Sequence, residues 1–279
     1  MRQIFITCVI VANFTVLSGQ TRIPALYECI YKYTISGCDN KGHIFEDIGY
    51  CMLQIGKGIG KFYDYTSYQT DSVRYASNDK QIVNSYLLRE QRSAFFFDQI
   101  IYQNLPKGSI SVQGVITPNR FNYREERYPI QWSLKEECDT VCGYHCKIAY
   151  GEYGGRKWIV KYAPEIPAQN GPWKMTGLPG LVLEAKDNEG VHHFTAITIR
   201  NSSVPISPID LQGSIETSRE KFLKSKNKFE EDPMANIIPE SIGEMEVRKN
   251  GNGASGSIVF INGVQLRMRT HPYIPLEIN

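Results

Sequence analysis

Apolar and polar positions alternate along most of the chain with a period of two, the spacing that sends successive side chains to opposite faces of a β-strand. Tyr27, Cys29, Tyr31, Tyr33 and Ile35 fall on one face of a first strand, and Leu26, Glu28, Ile30, Lys32 and Thr34 on the other. Tyr50 to Ile55 reads as the next strand. Gly56, Gly58 and Gly60 follow it without the Gly-Lys-Ser/Thr ending of a phosphate loop or an apolar helix behind it, so they read as a bend. The β pattern returns over Ala94 to Gln103, turns at Pro106-Lys107-Gly108 and resumes from Ile110 to Ile116. Ile130, Trp132 and Leu134 share a face, and Tyr144 to Tyr150 and Trp158 to Tyr162 repeat the alternation. Three consecutive antiparallel strands are expected there. Asn262-Gly263 between two apolar runs is a strong hairpin signal, because both residues accept the positive φ of a type I′ turn.

Helical spacing is scarce. Ile82, Val83, Tyr86 and Leu87 would share one face of a short helix between Lys80 and Arg92. Ser218 to Phe229 is better marked: Thr217 and Glu220 form a capping-box pair, Phe222, Leu223 and Phe229 give an apolar stripe, and Asp232-Pro233 ends the segment. The expected fold is mainly β with minor α: a strongly curved antiparallel meander, half-barrel or bowl-like, with one or two short helices. With no repeat or linker, residues 20–279 read as a single domain.

The first residues change the picture. Arg2, the apolar stretch Ile4 to Leu17 and the small residues Ser18-Gly19 before Gln20 have the layout of a cleaved signal peptide, cut after Gly19. That stretch is shorter than the roughly 20 residues of a membrane-spanning helix, and no later run matches it. A periplasmic or secreted protein without a transmembrane segment is expected, with room for peripheral association with the outer membrane. Cys8 lies inside the apolar run, which excludes a lipid-anchored cysteine. The charges nearly balance, 31 Lys plus Arg against 29 Asp plus Glu. Lys221, Lys224, Lys226 and Lys228 alternate with acids on a helix surface, so nucleic-acid binding lacks its electrostatic footprint.

Without Cys8 the chain keeps Cys29, Cys38, Cys51, Cys138, Cys142 and Cys146, an even number in an oxidising compartment, which predicts disulfides. Cys38 and Cys51 flank a polar loop and are expected to pair, Cys138 would join Cys142 or Cys146, and Cys29 takes what remains. Cys138, Cys142, His145 and Cys146 could instead bind zinc, but their spacing is not that of the usual knuckles, and no metal or cofactor is expected.

The run from Gly171 to Glu184, GPWKMTGLPGLVLE, resembles the defining motif of the GLPGLI family, exported proteins of Gram-negative bacteria. Ile130-Gln131-Trp132, Gly143 to Cys146, Gly155 to Trp158, Glu165 to Pro167 and Ala185 to Asp187 keep the family's order from about residue 120 to 200. Val182 stands where isoleucine is usual, and Cys138 and Cys142 add thiols around a position that often carries one. The resemblance implies compartment and fold class rather than a reaction. Physically, Gly171, Pro172, Gly177, Leu178, Pro179, Gly180, Leu181 and Leu183 read as a structural motif: a type II turn with Gly180 at its positive-φ position, entering a buried strand that hairpins through Asp187 to Gly190.

Catalytic signals are weak. His192 and His193 are adjacent on a strand and point to opposite faces, no hydrolase signature occurs, and Glu165, Glu184 and Asp187 have no evident pairing. No catalytic residue is assigned. The expected activity is non-catalytic binding or envelope assembly, with a concave apolar face offered to a lipid, glycan or envelope protein. Trp132, Trp158, Tyr162, Trp173 and Leu178 are the candidate lining, or Trp173 and Leu178 cap the core. By fold analogy, such a sheet resembles lipoprotein carriers or the bowl-shaped domain preceding some secreted glycosidases. A secreted hydrolase is the competing class.

Overall fold

The computed structural model describes residues 22–93, 96–128, 130–237, 239–249, 257–269 and 271–278; the expected signal segment, Ala94 and the glycine-rich stretch 251–256 lie outside them. Twelve strands form one sheet: β1 (Ala25–Cys38), β2 (Ile44–Gly56), β3 (Gly60–Asp64), β4 (Gln99–Gln103), β5 (Ser109–Ile116), β6 (Asn119–Glu126), β7 (Ser133–Val141), β8 (Tyr144–Tyr153), β9 (Arg156–Ala163), β10 (Leu181–Asp187), β11 (His192–Asn201) and β12 (Ser214–Glu216). Their order is β12-β6-β5-β4-β3-β2-β1-β11-β10-β9-β8-β7. Neighbours are antiparallel except β12, which runs parallel to β6. A second sheet holds β13 (Met245–Lys249), β14 (Ser257–Ile261) and β15 (Val264–Leu266).

The alternation expected in β1 is present. Cys29, Tyr31, Tyr33 and Ile35 enter a core that runs across Leu53, Phe62, Ile101, Val112, Tyr123, Trp158 and Phe194 and takes in Phe222, Leu223 and Phe229 of a helix. This is the packed face of the sheet. On the opposite, open face a smaller cluster of Ile30, Met52, Tyr63 and Val204 receives Tyr68. The turns follow their sequence signals: Cys142-Gly143, Gly154-Gly155 and Asn262-Gly263 all have positive φ at both positions, the requirement of type I′ hairpins.

Among the described residues three α-helices replace the expected one or two: α1 (Tyr65–Ala76), α2 (Lys80–Gln91) and α3 (Arg219–Glu231). Helix α1 escaped the pattern because its apolar contacts are tyrosines and its cap belongs to a strand. Asp64, the last residue of β3, accepts the Thr66 amide at 2.8 Å and reaches the Phe97 amide at 2.9 Å. Tyr68 then packs on Tyr63 and donates to buried Glu28 at 2.9 Å, which also binds Arg200 and Ser202. In α3 the cap is Ser218, whose hydroxyl accepts the Lys221 amide, rather than Thr217. Lys226 is not on the helix surface; it is buried between Asp98 and Glu230. Ile130 and Trp132 precede β7, and Leu134 points outward, so those three do not share an inner face.

The expected cysteine pairing is corrected by the register. Cys38 lies opposite Ile44 and Cys51 opposite Tyr31, seven residues further along the hairpin. At about 3.3 Å per residue they stand roughly 23 Å apart, far beyond a disulfide's reach. Cys138 lies opposite Lys147 and Cys146 opposite Asp139, so their side chains leave β7 and β8 on opposite faces. The six thiols of the described residues are free; Cys29, Cys51 and Cys146 are buried, and Cys38, Cys138 and Cys142 are exposed. Maleimide labelling of native protein should modify Cys38, Cys138 and Cys142 quickly and the other three only on unfolding. Recovery of a Cys38–Cys51 peptide by non-reducing mapping would contradict this hairpin register.

Candidate functional site

Between β9 and β10 the chain crosses the packed face without regular structure, so its backbone groups must find partners elsewhere. Gln103 of β4, completely buried, donates to the carbonyls of Gly171 and Trp173 at 2.8 and 2.7 Å, and its own oxygen accepts from Asn170. Tyr31 donates to Val182 O at 2.6 Å, and the Trp132 indole to Thr176 O at 2.8 Å. Trp173 is held at φ 52°, a conformation costing on the order of 1–3 kcal/mol that survives only where the surroundings over-determine it.

The motif glycines answer to space. A Cβ on Gly171 would lie 2.5 Å from Met175 O and 2.6 Å from Val182 Cβ. The expected type II turn is not what forms at Pro179-Gly180. The Gly180 amide bonds to Leu178 O at 2.9 Å, a tighter three-residue turn, and Gly180 has φ 158°. The expected positive φ is present, a conformation that L side chains rarely adopt, and contact requires glycine as well, since a Cβ would sit 2.4 Å from Ala163 O.

Four of the candidate lining residues, Trp158, Tyr162, Trp173 and Leu178, are buried, and Trp132 is partly buried against them. Trp173 packs on Trp158 with centroids 5.5 Å apart and on Tyr153 at 5.3 Å. The geometry brings these residues together as core. Leu181 and Leu183 are also fully buried, as the motif reading expected.

Beside them lies a group the pattern of residues did not announce. Lys174, with no exposed surface, sends its Nζ to Glu277 at 2.6 Å, Glu125 at 2.8 Å, Tyr123 OH at 3.0 Å and Tyr153 OH at 3.2 Å. Arg219 at the start of α3 closes the cluster on Glu277 at 2.8 Å, and Tyr153 donates to Glu125 at 2.6 Å. Burial opposes the ammonium charge, but Glu277 and then Glu125 outweigh it and raise the Lys174 pKa. The amine is locked as a cation. Only the acids' scatter over residues 125 and 277 hid this cluster; a lysine inside an apolar motif was its one sequence signal.

The histidines separate as expected. His192 is buried, with Nδ1 2.8 Å from Tyr33 OH and Nε2 3.2 Å from Pro275 O. Burial, followed by the charge of Arg156, pulls its pKa down to about 3. His193 lies on the open face, 3.4 Å from Glu184, which also pairs with Lys161. Asp187 is buried against Arg156 at 2.7 Å, and Glu165 is exposed. The Cys146 thiol is pushed up to about 11 by burial.

Among the cavities of the described residues, two border helix α1. A groove of about 600 Å³ runs between β1, β2 and β11 and the two helices α1 and α2, with Ile30, Ile48, Tyr50 and Ile197 as floor and Tyr65, Gln69 and Arg89 among its walls. Ile197 enters through the bulge where β11 passes Ile30 and Tyr31. A second cavity of about 470 Å³ is lined by Asp64, Asp71, Glu90, Asp98 and Asp210. These acids are engaged: Asp71 with Lys61, Glu90 with the Ser67 and Thr70 hydroxyls, Asp98 with Lys226, and Asp64 and Asp210 with backbone amides.

No protein-family model matches the chain, and no curated protein does. Among solved structures the chain is similar to PNGF-II in its P21 crystal form, at 14% identity and a TM-score of 0.50 over 74% of this chain. The C2 form of PNGF-II gives 14% identity and a TM-score of 0.48. The chain spans about a third of that protein, 34% of its length. At this identity the likeness is one of fold.

Two outcomes are expected of the packed cluster. Glu277→Gln leaves buried Lys174 with Glu125 as its one carboxylate and partly buried Arg219 beside a neutral amide, and should cost about 3–5 kcal/mol in urea unfolding, while Gly180→Ala should cost about 1–3 kcal/mol through the Ala163 contact. The second concerns acid. Folded His192 stays neutral down to about pH 3, whereas the unfolded chain takes up that proton near 6.5. The unfolded state binds more protons in this window, so stability falls as pH drops through it, by up to about 1.4 kcal/mol per unit. Denaturant titrations at stepped pH should show that component of the slope in the wild type and lose it in His192→Gln.

Proposed function

We propose that the chain is an exported, periplasmic or secreted, non-catalytic binding or envelope-assembly module of the GLPGLI type. The carrying observation is the contrast between the two faces of the sheet. Around the motif, Lys174 is held charged, His192 is held neutral and the Cys146 thiol is raised, so none is poised as a base or nucleophile near neutral pH. The open face instead carries a groove floored by exposed apolar side chains. Binding therefore belongs to the open face, because the opposite face is covered by the motif and α3.

A strongly curved, half-barrel sheet is part of this reading. Its support is the 2.6 Å hydrogen bond from Tyr153 of β8 to Glu125 of β6, strands with eight others between them. A flat sheet would hold those strands roughly 40 Å apart. The family reading rests on the motif and on the order of the blocks around it.

The second reading, a hydrolase, is favoured by the acid-lined cavity, where burial raises the Asp64 pKa. Thermal stability and turnover on ester, peptide and glycan substrates should be compared for wild type, Gly180→Ala, Glu165→Gln and Glu90→Gln. The expected result is no turnover in any of them. Turnover in the wild type that disappears in a variant of unchanged stability would refute the binding assignment.

A further inference from the structure

We propose that the open-face groove is a binding site for an acidic oligosaccharide, an inference that rests on the binding-module reading and names its ligand class. Its volume of about 600 Å³ falls within the ~300–1,000 Å³ typical of small-ligand sites. Three features of its lining ask for three properties in one ligand.

The first is a flat apolar surface. Ile48, Tyr50 and Ile197 are 42%, 47% and 46% exposed, and the Tyr65 ring stands at the wall, stacked on Tyr68 behind it. A pyranose offers such a surface in the C–H face of its ring, which packs on aromatic side chains whose hydroxyls remain free to hydrogen-bond.

The second is a hydrogen-bond donor. Gln69, one turn after Tyr65 on α1, lines the groove with a side-chain carbonyl that is shielded from water and has no donor among the described residues. Buried acceptors are normally satisfied, and sugar hydroxyls are donors.

The third is a negative charge. The Arg89 guanidinium at the groove is exposed and carries no acidic partner among the described residues. Asp64, the acid that lines the same groove, is already bound to the Thr66 and Phe97 amides. A carboxylate on the sugar would complete a charge-assisted pair with Arg89.

Together these requirements separate the candidates. An acyl chain satisfies the isoleucines but brings no donor for Gln69, and it needs an enclosed cavity rather than a floor this exposed. A neutral glycan leaves Arg89 unused.

The test is calorimetric titration of the full exported protein with oligogalacturonate, its neutral methyl ester, maltooligosaccharide and myristate. Wild type, Arg89→Gln and Tyr50→Ala are compared; both substitutions fall on exposed side chains, and unchanged thermal midpoints establish that the variants are folded. Wild type should bind oligogalacturonate about tenfold more tightly than the methyl ester, a difference of one charge-assisted contact. Arg89→Gln should bring the two affinities together, Tyr50→Ala should weaken both, and added salt should weaken the acid alone. Absence of saturable oligogalacturonate binding, or equal affinity for acid and ester in the wild type, overturns the proposal. Saturable myristate binding that Tyr50→Ala removes also overturns the glycan class while leaving the binding-module reading intact, which only turnover would defeat.

Discussion

The structure depends on one buried cation. Taking an ammonium group out of water costs several kcal/mol unless charges and hydrogen bonds replace the solvent, and Lys174 has two carboxylates and two phenols doing so. Those four groups come from β6, β8 and the C-terminal segment, and Arg219 adds the start of α3. None of these segments can move from its place without exposing a charge to apolar surroundings. The cluster therefore sets where five separate parts of the chain meet, whatever its net contribution to stability.

The same device recurs where α1, α3 and the C-terminal segment meet the large sheet. Lys61 of β3 reaches Asp71 of α1 and Ser207 of the segment after β11. Lys226 of α3 binds Asp98 before β4 and the Val115 carbonyl, with Arg269 bonded to neighbouring Glu230. Arg156 links Asp187 to the Pro275 carbonyl, while the other oxygen of Asp187 accepts the amides of Val191 and His192. Apolar contacts alone would tolerate sliding of one surface over another. Paired charges in low dielectric tolerate it poorly, because a misplaced partner leaves the other unsatisfied.

This arrangement divides the molecule chemically. On the packed face several buried polar groups hold the crossing between β9 and β10, among them Gln103, whose amide serves as partner to a strand-less backbone. Free polar chemistry is left to the open face, where α1 and α2 stand away from the sheet along the Tyr50 and Ile197 side chains. In the proposed binding reading, the motif acts only by fixing the scaffold on which that face is displayed.

Much of the fold was legible in the sequence because strand alternation and turn chemistry are local. The face of β1, the β10–β11 hairpin, the Asn262-Gly263 turn, α2 and α3 all follow from neighbours within a few residues. The burial of Leu181 and Leu183 followed likewise. Helix α1 did not, since its cap closes on Phe97 and its packing residue on Glu28, both distant in sequence. The cysteines were misread for a related reason: spacing along the chain gives loop length, while pairing depends on the register that puts Cys38 and Cys51 seven rows apart. The Lys174 cluster and the groove needed the tertiary structure outright, because charges 103 residues apart and side chains of three strands and two helices acquire a common chemistry only when the packed fold makes them neighbours.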